Sequence, residues 1–199
     1  NAVEAAGFDV VRTAADHDSG TSRLAQAAEE LRLADDAIVV NVQGDEPAVP
    51  PACIRQLAGL LAARTDAEMA TLWTPLAGAG EWRDPNIVKL VADAGGNALY
   101  FSRAPIPAVR DGGDPGPRGR RHVGLYAYRA GALKRWNTLP ASPLAELESL
   151  EQLRALAAGW RIVVAEGVEA MPPGVDTPED LDAVRAQFQA DRPGVERPS

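Results

Sequence analysis

Residues 37–47 read Ala-Ile-Val-Val-Asn-Val-Gln-Gly-Asp-Glu-Pro. The first six form a nearly continuous apolar run, rich in β-branched side chains, that ends in an acidic, glycine-containing turn. Such a run, bounded by turn signals, reads as a strand buried in a parallel sheet. Pro50 and Pro51 then open a helix in which Ile54, Leu57, Leu60 and Leu61 face inward. Strand, turn and helix in that order mark an α/β chain. Ligands in open α/β sheets bind beyond the carboxyl ends of strands, which is where Asp45 falls. Gly44 lets the backbone turn there and approach a ligand closely.

Working outward, the alternation continues. Residues 1–7 read as the last turns of a helix stopped by Gly7, and residues 8–11 (Phe-Asp-Val-Val) as a short strand. A helix feeding a strand normally follows an earlier strand, so one preceding β-strand is expected. After a loop at 13–20, residues 21–33 are helical, with Leu24, Ala28 and Leu31 on one face. Residues 67–75, 87–93 and 98–102 read as strands, and the Ala-Gly-Gly-Asn turn at 94–97 makes the last two an antiparallel hairpin. The Gly-, Pro- and Arg-rich stretch 110–121 is expected to be a mobile loop. A strand at 122–128, helices near 130–137 and 148–158, and a strand at 161–165 follow. Thr177, Pro178 and Asp180 spell a capping box that opens the final helix. The expected fold is α/β: one domain over 1–190 with a mixed, mainly parallel sheet flanked by helices. Residues 191–199 form a flexible tail.

Composition limits the function. The 199 residues are 46% hydrophobic and 24% charged, with a formal net charge of −8. That balance describes a globular domain and disfavours general nucleic-acid binding, whose affinity rests on neutralising phosphates. A nucleotide substrate stays open, because a metal and backbone donors act locally. No apolar run approaches the roughly 18 residues of a membrane span. The single cysteine, Cys53, permits no internal disulfide and suits a reducing compartment.

Three further pieces carry potential chemistry. Asp176 precedes the capping box without taking part in it. If the strands ahead of Asp45 and Asp176 are neighbours, the two carboxylates meet at one Mg²⁺, a hard cation that prefers oxygen ligands. Ser19, Gly20 and Thr21 form a turn into a helix start, where backbone N–H groups face an anion or a base edge, or where Ser19 is an ordinary N-cap. His122, Gly124, Tyr126 and Tyr128 share one strand face and read as a polyol pocket. Glu151 and Gln152 lie on the polar side of an amphipathic helix that buries Leu150 and Leu153.

Taken together, residues 17–25, 40–51, 84–89, 98–107, 121–129, 149–156 and 174–181 resemble the 3-deoxy-manno-octulosonate cytidylyltransferase (CMP-Kdo synthetase) family, in the family's order and over nearly the whole chain. The most specific strings are Val-Asn-Val-Gln-Gly-Asp-Glu-Pro, Asp-Pro-Asn-Ile-Val-Lys and Ala-Leu-Tyr-Phe-Ser-Arg-Ala-Pro-Ile-Pro. The resemblance implies a nucleotide-diphospho-sugar-transferase-like fold, a homodimer, and a cytoplasmic enzyme of lipopolysaccharide synthesis that couples CTP to Kdo with release of diphosphate. It implies that Asp45 and Asp176 act catalytically as Mg²⁺ ligands and that Ser19, Gly20 and Thr21 hold the nucleotide. Gln43, Arg103, His122, Tyr126, Glu151 and Gln152 fall on the sugar side. Arg103 is the candidate for the Kdo carboxylate, since a guanidinium matches a carboxylate fork. The loop 110–121 would flank the site as a lid.

Departures from the family pattern qualify that reading. The family opens with a strand and a basic loop, Pro-Ala-Arg followed by Arg-Leu-Pro-Gly-Lys, that cradles the CTP phosphates. The sequence holds no counterpart, so a unit of roughly 30 residues or more is expected ahead of it. Ser22 replaces a usual acidic residue, Ala145 a usual glutamate, and Ala-Met-Pro-Pro-Gly at 170–174 the usual Pro-Gly-Thr-Gly. Two alternatives therefore stand beside the Kdo enzyme. One is an inactive fragment or dimer-forming remnant; the other is a sibling cytidylyltransferase for another acidic sugar, such as 8-amino-Kdo or a sialic acid.

Overall fold

The computed structural model describes residues 2–172, 174–175 and 177–190. In chain order the elements are α1 (Ala2–Ala5), α2 (Gly20–Glu30), β1 (Ile38–Asn41), α3 (Pro51–Ala63), β2 (Met69–Pro75), α4 (Ala79–Arg83), β3 (Lys89–Ala92) and β4 (Ala98–Ser102). There follow β5 (Arg120–Arg129), α5 (Ala130–Arg135), α6 (Pro143–Glu148), α7 (Gln152–Ala157), β6 (Ile162–Glu166) and α8 (Pro178–Ala190). The expected tail at 191–199 lies outside the described residues.

The six-stranded sheet is built around β5. One edge of β5 pairs with β2; the other pairs with β1 along its C-terminal half and with β3 at its start. All three pairings are antiparallel, while β2 and β6 pair in parallel and β3 and β4 form the expected hairpin. The sheet is therefore mixed: β1, β2, β3 and β6 run one way, and β5 and β4 the other. The pairings are mainly antiparallel, β2 with β6 being the parallel one among the described strands, which corrects the expectation of a mainly parallel sheet and that for residues 37–42. β1 lies beside an antiparallel neighbour and is half-buried rather than enclosed in a parallel sheet.

Two apolar clusters cover the two faces. On one face α3 sets Cys53, Leu57 and Leu61, all fully buried, against Ala70, Leu72, Val123, Leu125 and Ala127. On the other, α2, α5 and α7 cover Met69, Phe101, Tyr128, Ile162 and Val164. Burying a leucine in this way contributes roughly 1.5–3 kcal/mol. The alternation Met69/Ala70 and Tyr128/Ala127 across the two clusters is the strand period of two.

β5 carries two extra residues opposite β2. Thr71 pairs with Tyr126 and Leu72 with Val123, so Gly124 and Leu125 bulge out of register. Two extra residues preserve the facing parity that a single one would reverse. His122, Tyr126 and Tyr128 therefore stay on one face, and Val123, Leu125 and Ala127 on the other. Thr71, fully buried, stitches the bulge, its Oγ1 lying 2.9 Å from the Val123 carbonyl and 2.8 Å from that of Leu125.

Lys89 is fully buried, yet its ammonium is satisfied by the carbonyls of Asp84 (2.8 Å), Ile87 (2.6 Å) and Arg103 (2.6 Å). Burial pushes its pKa below the ordinary lysine value. These bonds tie the 84–87 turn to the end of β4.

Several local expectations are corrected. Residues 8–11 form no strand: Phe-Asp-Val-Val has strand composition but finds no neighbour to pair with among the described residues, and Phe8 is exposed. Gly7 does take the positive φ of a helix stop. Leu31 is exposed, because α2 ends at Glu30 and turns its Thr21, Ser22, Ala25 and Ala28 face inward. The helix expected at 148–158 is the shorter α7, preceded by a helix that was not expected, α6, which ends at Glu148 where Ser149 adopts the left-handed conformation. The second half of the 110–121 loop is anchored: Leu76 N–H donates to the Gly119 carbonyl at 3.0 Å, and β5 already starts at Arg120. At α8, Thr177 and Asp180 form the expected reciprocal cap, with Asp180 N–H on Thr177 Oγ1 (3.2 Å) and Thr177 N–H on Asp180 Oδ2 (2.9 Å).

Candidate active site

Beyond the C-terminal end of β1 the chain leaves a cleft of about 630 Å³. Its floor is the face of β5 bearing Tyr126 and Tyr128, and one wall is the outgoing segment from Asn41 to Asp45. The start of α2, with Gly20 and Thr21, and the start of α7, with Glu151 and Gln152, complete it. Seven of the residues singled out from sequence thus converge: Gly20, Thr21, Gln43, Asp45, Tyr126, Glu151 and Gln152. They come from four elements far apart in the chain.

Thr21 is buried, and its hydroxyl donates to Glu151 Oε2 at 2.8 Å while lying 3.4 Å from the Tyr128 hydroxyl. One helix start is thereby tied to the other, and Glu151 Oε1 is left to accept from a ligand. Ser19 is the N-cap of α2, its Oγ accepting from Ser22 N–H at 3.1 Å. It faces a neighbouring hollow of about 460 Å³ that shares Trp136 and Glu151 with the cleft. Burial raises the pKa of both Tyr126 and Tyr128, and the Glu151 charge adds to it. Both phenols remain protonated donors at neutral pH.

Gln152 is the most telling side chain. It is 6% exposed, lines the cleft, and its Nε2 has no hydrogen-bond partner among the described residues. A buried donor left unpaired costs about 1–3 kcal/mol, a cost offset when a ligand accepts from it.

His122 sits beside the cleft, in an adjoining hollow of about 240 Å³ that also takes in Glu46 and Gly174. Its ring packs against Phe101 (5.0 Å between centroids) and Tyr126 (5.4 Å). Nε2 lies 3.1 Å from Thr71 Oγ1, whose own proton is shared between the two carbonyls of the bulge. The hydrogen-bond network therefore assigns the imidazole proton to Nε2 and leaves Nδ1 as an acceptor. Burial pushes the His122 pKa down to about 3, so the ring is neutral.

Arg103 lines none of these three cavities. Its Nε donates to the Glu148 carbonyl at 2.7 Å, Nη1 to the Pro85 carbonyl at 3.0 Å, and Nη2 lies 3.4 Å from that of Ser149. It braces the corner between α6 and α7 behind Glu151.

Asp45 lies at the cleft wall, and no Lys or Arg pairs with its carboxylate among the described residues. Its carbonyl accepts from Val175 N–H at 2.7 Å. The two segments approach so closely that a Cβ on Gly174 would stand 3.3 Å from the Asp45 carbonyl and from Glu46 Oε1. The second expected ligand, Asp176, lies outside the described residues, although Val175 immediately before it is docked on Asp45. Among the described residues no three metal-ligating side chains cluster.

The cytidylyltransferase profile matches residues 1–162 of this chain. The chain belongs to the cytidylyltransferase family. Its fellow members include the 3-deoxy-manno-octulosonate cytidylyltransferase of Pseudomonas syringae pv. syringae, 53% identical over 191 residues, covering 92% of this chain and 75% of that one. A solved CMP:2-keto-3-deoxy-manno-octonic acid synthetase complexed with CTP superposes with a TM-score of 0.81 at 40% identity, over 96% of this chain and 76% of the other. A glucose-1-phosphate thymidylyltransferase structure from Bacillus anthracis, at 12% identity and a TM-score of 0.52, shares the fold alone. As a cytidylyltransferase, the chain is a nucleotidyltransferase, and no helix among its described residues is long and apolar enough to cross a membrane. Sequence reasoning overlooked Thr71, Glu148 and Trp136. Only Lys89, a lone charge inside an apolar strand, carried a sequence signal of burial.

Proposed function

We propose that this cytidylyltransferase joins CMP from CTP to the anomeric hydroxyl of Kdo, releasing diphosphate, as its Pseudomonas syringae relative is named for doing. The observation that carries the sugar side is the buried, unpartnered Gln152 amide beside Glu151, opposite the α2 start and Asp45. A polyol supplies the acceptor that Gln152 lacks and the donor that Glu151 Oε1 takes. His122 Nδ1 accepts a further hydroxyl from the adjoining hollow, and the Tyr126 phenol and Gln43 amide add donors. Ser19, Gly20 and Thr21 face the nucleotide, with the first N–H groups of α2 toward it.

The reaction forms a bond from the anomeric oxygen to the α-phosphorus, breaks the bond to diphosphate, and releases the hydroxyl proton. Alignment and charge neutralisation dominate such a transfer. Asp45, lacking a basic partner among the described residues, and the amide oxygens of Asn41 and Gln43 form a hard-oxygen donor set that fits Mg²⁺. With Asp176, Asp45 would hold that ion, whose chemistry is to neutralise phosphate oxygens. Arg103, expected to meet the sugar carboxylate, contributes instead from behind the corner, where its guanidinium braces the turn that carries Glu151 and Gln152. Use of CTP places the activity in the cytoplasm. The active form is a homodimer, for which the exposed Leu99 on the outer strand β4 is the supporting feature.

The test is diphosphate release from CTP with and without Kdo and Mg²⁺. It is run on the 199-residue chain and on a fusion carrying the N-terminal part of the Pseudomonas syringae relative ahead of Asn1. Kdo-dependent release is expected, and Gln152→Ala should raise the KM for Kdo about tenfold while sparing that for CTP. Release from neither protein, or a Gln152 effect on CTP alone, overturns the reading. Sedimentation of Leu99→Glu as a monomer beside a dimeric parent supports the dimer; a monomeric parent refutes it.

A further inference from the structure

Glu148, at the end of α6, lies outside the cleft and has no part in the roles assigned above. Its carboxylate is divided among donors of β4 and the residue after it, the Tyr100 hydroxyl being one of them. Ser102 Oγ donates to Oε1 at 2.6 Å, and Arg103 N–H to Oε2 at 2.8 Å. Burial raises its pKa, but these donors outweigh burial and hold the carboxyl below its ordinary value. Arg103 returns the contact through Nε to the Glu148 carbonyl at 2.7 Å. Lys89 fixes the Arg103 carbonyl from the other side at 2.6 Å. The end of β4 and the end of α6 are thus clamped to each other in both directions.

The clamp encloses a strained residue. Ser149 has φ 51°, a left-handed conformation that costs a residue with a Cβ of order 1–2 kcal/mol. Such a conformation persists only where its surroundings over-determine it. The turn at Ser149 reverses the chain out of α6, and two residues later Glu151 and then Gln152 enter the cleft. Without the turn, α6 would run on as one helix and aim both side chains elsewhere.

Building on the acidic-sugar reading above, we propose that Glu148 is a positioning residue of the sugar side. Its carboxylate holds the Ser149 corner against β4 and thereby aims Glu151 and Gln152 into the cleft. The nucleotide side meets this corner only at its margin, through the Thr21–Glu151 hydrogen bond and the hollow that Ser19 shares with Ser149 and Glu151, so its affinity should move less than that for the sugar.

The test compares Kdo and CTP binding by titration calorimetry for the fusion described above and for its Glu148→Gln and Ser102→Ala variants. Glu148→Gln keeps the shape but removes the charge, and with its amide oxygen kept on the Arg103 N–H it sets an NH2 donor against the Ser102 hydroxyl. It should weaken Kdo about tenfold and leave CTP within about twofold. Ser102→Ala leaves the Arg103 N–H bond to Glu148 in place while removing the Oε1 bond and the acceptor of Ala104 N–H, and should shift Kdo in the same direction by less; it also decides the matter if Glu148→Gln does not fold. Equal weakening of both ligands, or no change in either, overturns the assignment. Should the unaltered fusion bind no Kdo, the acidic-sugar reading fails in the parent itself and this inference falls with it. A failure of positioning alone shows only in the variants.

Discussion

Lowering the pH from about 8 to about 5 should cost this protein stability through one imidazole. His122 is pushed down to about 3 from its ordinary 6.5 by burial against Phe101 and Tyr126. Its folded pKa lies below its unfolded one, so its contribution is complete above the unfolded value. That contribution is lost as the pH falls from about 6.5 toward 3. Near pH 5 almost every unfolded chain carries a proton on this ring, while the folded ring has none. That difference is worth ~2 kcal/mol for a fully sealed ring, and ~1–2 kcal/mol for one whose edge meets solvent, as here. The assay is urea unfolding at both pH values for the parent and for His122→Gln, whose amide can still donate to Thr71 but does not titrate. His17, the other of the two histidines, is present in both proteins and cancels from the comparison. The parent should lose more stability than the variant by that amount. Parallel losses, or an imidazole that titrates near 6.5 by NMR, would refute the reasoning.

Other outcomes follow from the same geometry. Asp45→Asn should lower Mg²⁺-dependent diphosphate release by about a hundredfold or more while the unfolding midpoint stays in place; near-parental turnover would remove Asp45 from the metal site. Lys89→Met strands three carbonyls that now share one ammonium, and should destabilise the fold by roughly 3–4 kcal/mol in denaturant titrations; a loss under about 1 kcal/mol would mean that the carbonyls find other donors. Leu57→Ala empties a fully buried site under the sheet and should cost about 2–5 kcal/mol with ligand affinities unchanged.

Much of this architecture is legible in the sequence, because its signals are local. The apolar run to Val42, the Gly-Gly turn of the hairpin and the Thr177–Asp180 cap each declare themselves within a few residues. Gln43 and Asp45 could be placed for the same reason: the end of a buried strand marks the ligand side of a sheet. What escaped depends on distant partners. Whether residues 8–11 form a strand is decided by a neighbouring edge, and where the helix expected at 148–158 begins by a clamp from β4. The orphaned amide of Gln152, the gift of the Thr21 hydroxyl to Glu151 and the engagement of Arg103 with three carbonyls are facts of tertiary geometry. No spacing encodes them.

The bulge in β5 makes chain length in this strand a quantity counted in pairs. Two added residues between His122 and Tyr126 leave both rings on the face of the sheet that bears the cleft. One added or one deleted would turn either His122 or the Tyr126–Tyr128 pair into the apolar layer beneath α3, and expose Val123 or Ala127 in exchange. Natural relatives should therefore vary here by even steps or not at all. A designer who wishes to widen the sugar pocket can insert residues in twos at Gly124, where a Cβ meets nothing within 4 Å, without unseating the rest of the sheet.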